Sequence, residues 1–164
     1  MTTVTAIFLG DTGVGKSAFL SSVSGSMSIA RPTIGVDSVI YRAGGHTLRC
    51  WDTGGSPRFM HVIPLFARKC DVAVYMFDAT KPHTFASVQK WHEMVSNVDD
   101  APREHVIVAL RATGAVPSYP GLDILDGRFP RDVMADILRR GARTPVSFEL
   151  MTSHQPSRCC FGMC

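Results

Sequence analysis

No apolar run in this chain is longer than the six residues from Val72 to Phe77, so it offers no helix able to cross a bilayer. The first residues carry no basic segment leading into a hydrophobic one, which argues against a secretory leader. Charged side chains make up only 19% of the sequence, and the net charge is +3. A nucleic-acid binder would be more basic and would set aromatic platforms among its lysines and arginines, which this chain does not do, so no nucleic-acid partner is expected. Internal repeats and low-complexity tracts are absent. Also missing are a Ser/His/Asp elbow, a zinc pair at helical spacing and a dinucleotide fingerprint; Gly10, Gly13 and Gly15 are wrongly spaced for the last. The five cysteines form no disulfide framework: Cys50 and Cys70 stand alone, and Cys159, Cys160 and Cys164 crowd the end. The six histidines are scattered and read as surface or partly packed side chains. What remains is a globular chain of 164 residues, about one domain long and expected to be cytoplasmic.

The positive feature is Gly10-Asp11-Thr12-Gly13-Val14-Gly15-Lys16-Ser17, directly after the apolar stretch Val4 to Leu9. Glycines at these spacings let the backbone turn tightly enough to aim successive N–H groups at the α- and β-phosphates of a nucleotide. Lys16 would reach the β- and γ-phosphates, and the Ser17 hydroxyl would ligate Mg²⁺. A helix starting at Lys16 and carrying Ala18 in its first turn would add its positive N-terminal end.

Strand and helix signals alternate along the chain, the pattern of a mainly parallel sheet covered by helices. Val4 to Leu9 predicts a strand and Lys16 to about Val23 a helix. Val36 to Arg42 and His46 to Asp52 predict an antiparallel hairpin across Gly44-Gly45. Asp71 to Phe77 and His105 to Leu110 are expected to be buried strands. Between them Pro82 opens a helix whose Phe85, Val88, His92 and Val95 share a face, with Trp91 in the core. Arg111 to Gly127 is expected to be a long loop, and a helix from Pro130 carries the stripe Val133, Met134, Ile137 and Leu138, with Gly141 as its stop. Pro145 to Met151 is expected to be the last strand, which divides the chain into a domain over 1–152 and a cysteine-rich tail over 153–164.

Together with the phosphate loop, the ordered segments Thr33-Ile34-Gly35-Val36-Asp37, Trp51-Asp52-Thr53-Gly54-Gly55, Arg58-Phe59 and Asp71 to Thr80 resemble a Rab-type small GTPase from residue 4 to about 97. The resemblance implies a three-layer α/β G domain with a sheet of six strands, mostly parallel, and GTP/GDP with Mg²⁺ as cofactors. Gly10, Asp11, Thr12, Gly13, Val14, Gly15, Lys16, Ser17 and Ala18 would hold the phosphates. Ser17, Thr33 and Asp52 would serve the metal, Thr33 only when the γ-phosphate is present. Gly55 would donate its N–H to that phosphate and pivot the second switch segment. Effectors and regulators of vesicle traffic would dock on the two switches, and Trp51 beside them could report nucleotide state optically.

Three departures from the family pattern qualify that expectation. Ser56 stands where a glutamine orients the attacking water, so Lys16, Gly55 and Ser56 would make a slow GTP hydrolase, or none. The asparagine-lysine-x-aspartate motif that reads guanine is replaced by Arg111-Ala112-Thr113-Gly114-Ala115, leaving Asp123 or Asp126 as the carboxylates that could swing in. Glu149-Leu150-Met151-Thr152 stands where a serine-alanine-lysine turn would touch the base. Third, the family's final helix, which covers one face of the sheet, is expected to be missing, so that the C-terminal tail packs on that face, a partner covers it, or stability suffers. Arg158-Cys159-Cys160-Phe161-Gly162-Met163-Cys164 resembles the double-cysteine ends that receive geranylgeranyl groups, which would bring the protein to the cytosolic face of intracellular membranes. An unmodified tail and a zinc cluster with His154 are the alternatives. A non-catalytic module that sequesters Rab partners is the rival to a working switch, and a P-loop kinase is a poorer one for want of a second pocket and a basic lid.

Overall fold

The computed structural model describes residues 2–25 and 33–142. A six-stranded sheet forms its middle layer, with strand order β2-β3-β1-β4-β5-β6. The chain builds it as β1 (Thr3–Leu9), α1 (Lys16–Ser24), β2 (Val36–Ala43), β3 (His46–Thr53), a 3₁₀ turn (Pro57–Val62) running into α2 (Ile63–Ala67), β4 (Val72–Asp78), α3 (Pro82–Ser96), β5 (Glu104–Leu110), β6 (Ile124–Asp126) and α4 (Pro130–Gly141). β2 and β3 pair antiparallel and all other neighbours pair parallel. Both Gly44 (φ 55°) and Gly45 (φ 76°) are left-handed, the twist that a two-residue hairpin needs.

Every residue of β4 is buried, as its unbroken apolar run demands of a central strand covered on both sides. On one face Val4, Phe8, Val74, Met76 and Val108 pack under α1 and α4. On the other, Ile7, Leu9, Tyr75, Phe77 and Ile107 pack under α2 and α3, with Trp91 only 2% exposed. The two layers of side chains pin β1 and β4 in the middle of the molecule, so the loop leaving β1 is held on a rigid base.

The structure corrects two expectations in the second half of the chain. The long loop from Arg111 to Gly127 contains a strand: Ile124–Asp126 adds to the edge of β5, with Ile107, Val108 and Ala109 opposite Ile124, Leu125 and Asp126. Three residues carry too little periodicity to be recognised before their partner edge is known. The face from which the family's final helix was expected to be missing is covered by α4, which packs beside α1 against β1, β4, β5 and β6. Gly141 is the last residue of that helix, as expected, but without adopting a left-handed conformation; the chain leaves through Ala142 (φ −73°). A Cβ on Gly141 would overlap the Val4 side chain, so glycine serves the close approach of α4 to β1. The expected strand from Pro145 to Met151 and the cysteine tail, with Cys159, Cys160 and Cys164, lie outside the described residues.

Candidate nucleotide site

β1 delivers its chain into the phosphate loop at the C-terminal edge of the sheet, and α1 leaves from the same point. Gly10 (φ 147°), Gly13 (φ 79°) and Gly15 (φ 111°) all take positive φ. At Gly10 a Cβ would also overlap the carbonyl oxygen of Met76 on the neighbouring strand β4. Above the loop opens a cleft of about 730 Å³, lined by Thr12, Gly13, Gly15, Lys16, Ser17 and Ala18 on one side. Thr33, Ile34, Thr53, Gly54, Gly55, Ser56, Arg58 and Phe59 line the other. Gly10, Asp11 and Val14 are expected phosphate-loop residues that do not line the cleft. Val14 is buried in the core under α1, and the Asp11 carboxylate accepts a 3.0 Å bond from the indole N–H of Trp91, 80 positions away on α3.

Lys16 is 6% exposed and donates from Nζ to the carbonyl oxygens of Gly10 (2.8 Å) and Asp11 (3.1 Å). Burial pushes its pKa down to about 8, against the opposing pull of the Asp52 and Asp11 carboxylates. It is a desolvated ammonium on the wall of the cleft, held against the loop's own carbonyls, and among the described residues it forms no ion pair.

A second constellation joins three segments of sequence. Ser17 Oγ lies 2.8 Å from Thr33 Oγ1 and donates to Asp52 Oδ2, while Thr33 Oγ1 donates to the same carboxylate oxygen at 3.3 Å. Asp52 is 3% exposed and its Oδ1 is buried without a hydrogen-bond partner. Burial raises its pKa, and the Ser17 bond, Lys16 and the Thr33 bond only partly oppose that. Two hydroxyls and a carboxylate with an orphaned oxygen are a hard, all-oxygen donor set, which fits a small divalent cation such as Mg²⁺. A cation there would satisfy Oδ1 and favour the ionised carboxylate.

The two switch segments meet over the same spot. The Gly54 N–H donates to the Gly35 carbonyl at 2.7 Å, and a Cβ on Gly54 would lie 2.5 Å from the Thr33 carbonyl oxygen. At Gly55 a Cβ would overlap the backbone of Gly10, Asp11 and Thr12. The glycine pair thus lets the chain after β3 lie directly on the phosphate loop. Ser56 follows it into the cleft wall. Arg58 lines the same wall and is exposed; it entered the sequence reading only as part of a motif and not as a site residue.

At the opposite flank of the phosphate loop stands Arg111, a non-glycine residue with φ 54°. Its Nη1 contacts the Val14 carbonyl at 3.4 Å and pairs with the buried Asp78 carboxylate. Burial alone would raise the pKa of Asp78, but the two Thr80 bonds and Arg111 outweigh it and hold the carboxyl below its usual range. The structure brings neither of the other two candidate carboxylates into the cleft. Asp126 is held by Nε and Nη2 of Arg128, and Asp123 stands at the N-terminal end of β6, paired with Arg140 in the last turn of α4.

The Ras family model matches residues 5–113, which is most of the sheet and the whole cleft. This chain belongs to the Ras family. Among curated relatives, the Ras-related protein Rab-22A of Mus musculus and that of Homo sapiens are each 37% identical over 89 residues, 51% of this chain and 46% of the relative. Ras-related protein RABA6b of Arabidopsis thaliana is 36% identical over 92 residues, 52% of this chain and 40% of the relative. The chain therefore spans less than half the length of these relatives. The Ras-family match ends at residue 113, just past Arg111 and before β6 and α4.

Proposed function

We propose that this protein is a Rab-like molecular switch that binds GTP or GDP with Mg²⁺ and presents its two switch segments to partner proteins in membrane traffic. The observation that carries the reading is the cradle of Ser17, Thr33 and Asp52 with the unpaired Asp52 Oδ1. Thr33 belongs to the first switch, and Gly54, two residues beyond Asp52, bonds to Gly35 of that switch. Mg²⁺ would supply charge neutralisation at the β- and γ-phosphates. Lys16 would meet the same phosphates from below, Gly55 would offer its N–H, and loss of the terminal phosphate would release Thr33. Ile34, 84% exposed, and Leu65, 66% exposed, set apolar side chains beside these segments as a docking face. Titration of nucleotide-stripped protein with fluorescent GTP should give saturable binding that weakens at least tenfold, in order of magnitude, when Mg²⁺ is chelated. Binding indifferent to Mg²⁺ would contradict the role of the cradle.

Hydrolysis is proposed to be slow. Ser56 is too short to hold a water against a γ-phosphate as a glutamine does. Single-turnover rates should fall below about 10⁻⁴ s⁻¹, and Ser56→Gln should raise them on the order of tenfold. Equal rates would remove Ser56 from the mechanism. The same substitution keeps a second reading open, a non-catalytic module that binds nucleotide statically and competes for Rab partners. Cys159, Cys160 and Cys164 are proposed lipid acceptors, which would place the protein on the cytosolic face of internal membranes. An intact mass without added isoprenoid, on protein made in eukaryotic cells, would count against them.

A further inference from the structure

Resting on the proposed nucleotide binding, we infer that Trp91 is a positioning residue for the phosphate loop: its indole N–H, bonded to the Asp11 carboxylate, fixes the peptide that holds Lys16 and lies against Gly55, and so governs how long a nucleotide stays bound. Trp91 sits on α3, 80 positions from Asp11, and donates from Nε1 to Asp11 Oδ1 at 3.0 Å. Its ring is 2% exposed, in the same core cluster as Ile7, Leu9, Tyr75, Phe77 and Val88. An indole N–H buried in such apolar company needs an acceptor, and the fold supplies one from the loop. The ring cannot shift without disturbing the close-packed layer under α3, so the bond ties a loop residue to a rigid body.

The loop needs that tie because its outer span has few others. Gly10 is wedged against the Met76 carbonyl of β4, and Val14 is buried in the core under α1. Between them Thr12 is exposed, and a Cβ on Gly13 would meet nothing within 4 Å. Among the described residues, the Trp91 bond is the one hydrogen bond from Asp11-Thr12-Gly13 to an element other than the loop and α1.

Asp11 is also where the groups assigned to the phosphates converge. Its carbonyl accepts from Lys16 Nζ at 3.1 Å and from the Val14 N–H at 3.4 Å. A Cβ on Gly55 would lie 2.4 Å from its carbonyl carbon, so the chain after β3 rests directly on the same peptide. A turn of that peptide displaces the Lys16 ammonium and Gly55 together, the two groups proposed to meet the terminal phosphate. Donors aimed at a phosphate act by being held in place beforehand, and a small misplacement costs a large factor. The Asp11 side chain does not line the cleft, so its influence on the ligand passes through the backbone it fixes.

Release of a fluorescent GDP analogue from the full chain in Mg²⁺, chased with unlabelled GDP, tests the inference. Trp91→Phe keeps a flat apolar ring and removes the donor, and it should speed release on the order of tenfold. Added to Asp11→Asn, whose amide oxygen still accepts, Trp91→Phe should speed release by about fivefold or more; added to Asp11→Leu, which has no acceptor, by less than about twofold. With Trp91 in place, Asp11→Leu should release the analogue about fivefold or more faster than Asp11→Asn, a comparison that stands even where the ring substitution prevents folding. A packing role alone would give equal acceleration in all three backgrounds. That result, release from Trp91→Phe as slow as from the parent chain, or equal release from Asp11→Leu and Asp11→Asn overturns the inference and leaves the nucleotide reading standing. If the parent chain binds no nucleotide, the proposed function falls and the inference with it.

Discussion

Lys16→Ala removes nucleotide binding while leaving the empty protein folded. Its ammonium is buried against two carbonyl oxygens with no anion in direct contact, so the folded chain holds a desolvated charge that only a polyphosphate would fully compensate. Removing a buried, hydrogen-bonded charge partner from a complex costs about 2–5 kcal/mol, which raises the dissociation constant by roughly thirty- to four-thousandfold. The free protein gives up no charge pair at direct contact, so its melting temperature should change far less than that of the nucleotide complex. A pH dependence follows from the same side chain. The pKa of Lys16 is lowered to about 8 in the free fold, and a bound polyphosphate favours the charged form. Nucleotide binding should take up few protons at pH 7 and close to one per site by about pH 9. Calorimetry in two buffers of different ionisation enthalpy measures this number, and proton release on binding would contradict the assignment. For folding, the unfolded chain holds the Lys16 proton through pH 8 to 10 where the native state has lost it, so this group adds stability as pH rises through that window.

Gly10→Ala should destabilise the fold more than any other single methyl group added to the phosphate loop. Its Cβ would overlap the Met76 carbonyl oxygen, which belongs to backbone in the middle of the sheet. Relief would require β1 and β4 to separate, although Ala6 to Leu9 pair with Val72 to Tyr75. A cost of about 3 kcal/mol or more is expected, a fall in melting temperature on the order of 6–12 °C for a chain of this size. Gly13→Ala is the internal comparison. That glycine also has a positive φ, 79°, but nothing lies within 4 Å of the new methyl, so only backbone strain of about 1 kcal/mol remains. Equal melting temperatures for the two variants would show that the Met76 contact does not limit the loop.

The features legible in the sequence are those whose causes are short in range. The phosphate loop is a matter of glycines at set spacings ahead of a lysine and a hydroxyl. The Gly44-Gly45 hairpin follows from two consecutive left-handed residues, and the starts of α3 and α4 from Pro82 and Pro130 in their first turns. The burial of Val72 to Phe77 follows from an unbroken apolar run. Ser17, Thr33 and Asp52 were recognised through the family motifs and lie together in the structure.

What depended on residues far apart in the chain could not be read in advance. β6 is three residues long and exists because β5 offers an edge; α4, whose existence the sequence predicts, takes its place over β1 because Gly141 lets it approach Val4. The Trp91 bond to Asp11 and the Arg111 pair with Asp78 span 80 and 33 positions. Local sterics and hydrophobic period, both written in consecutive residues, determined that this chain has a phosphate loop on a buried parallel sheet. The tertiary structure alone decided which carboxylates are held by partners and which glycines mark close approach, since each depends on which side chains the fold brings within bonding distance.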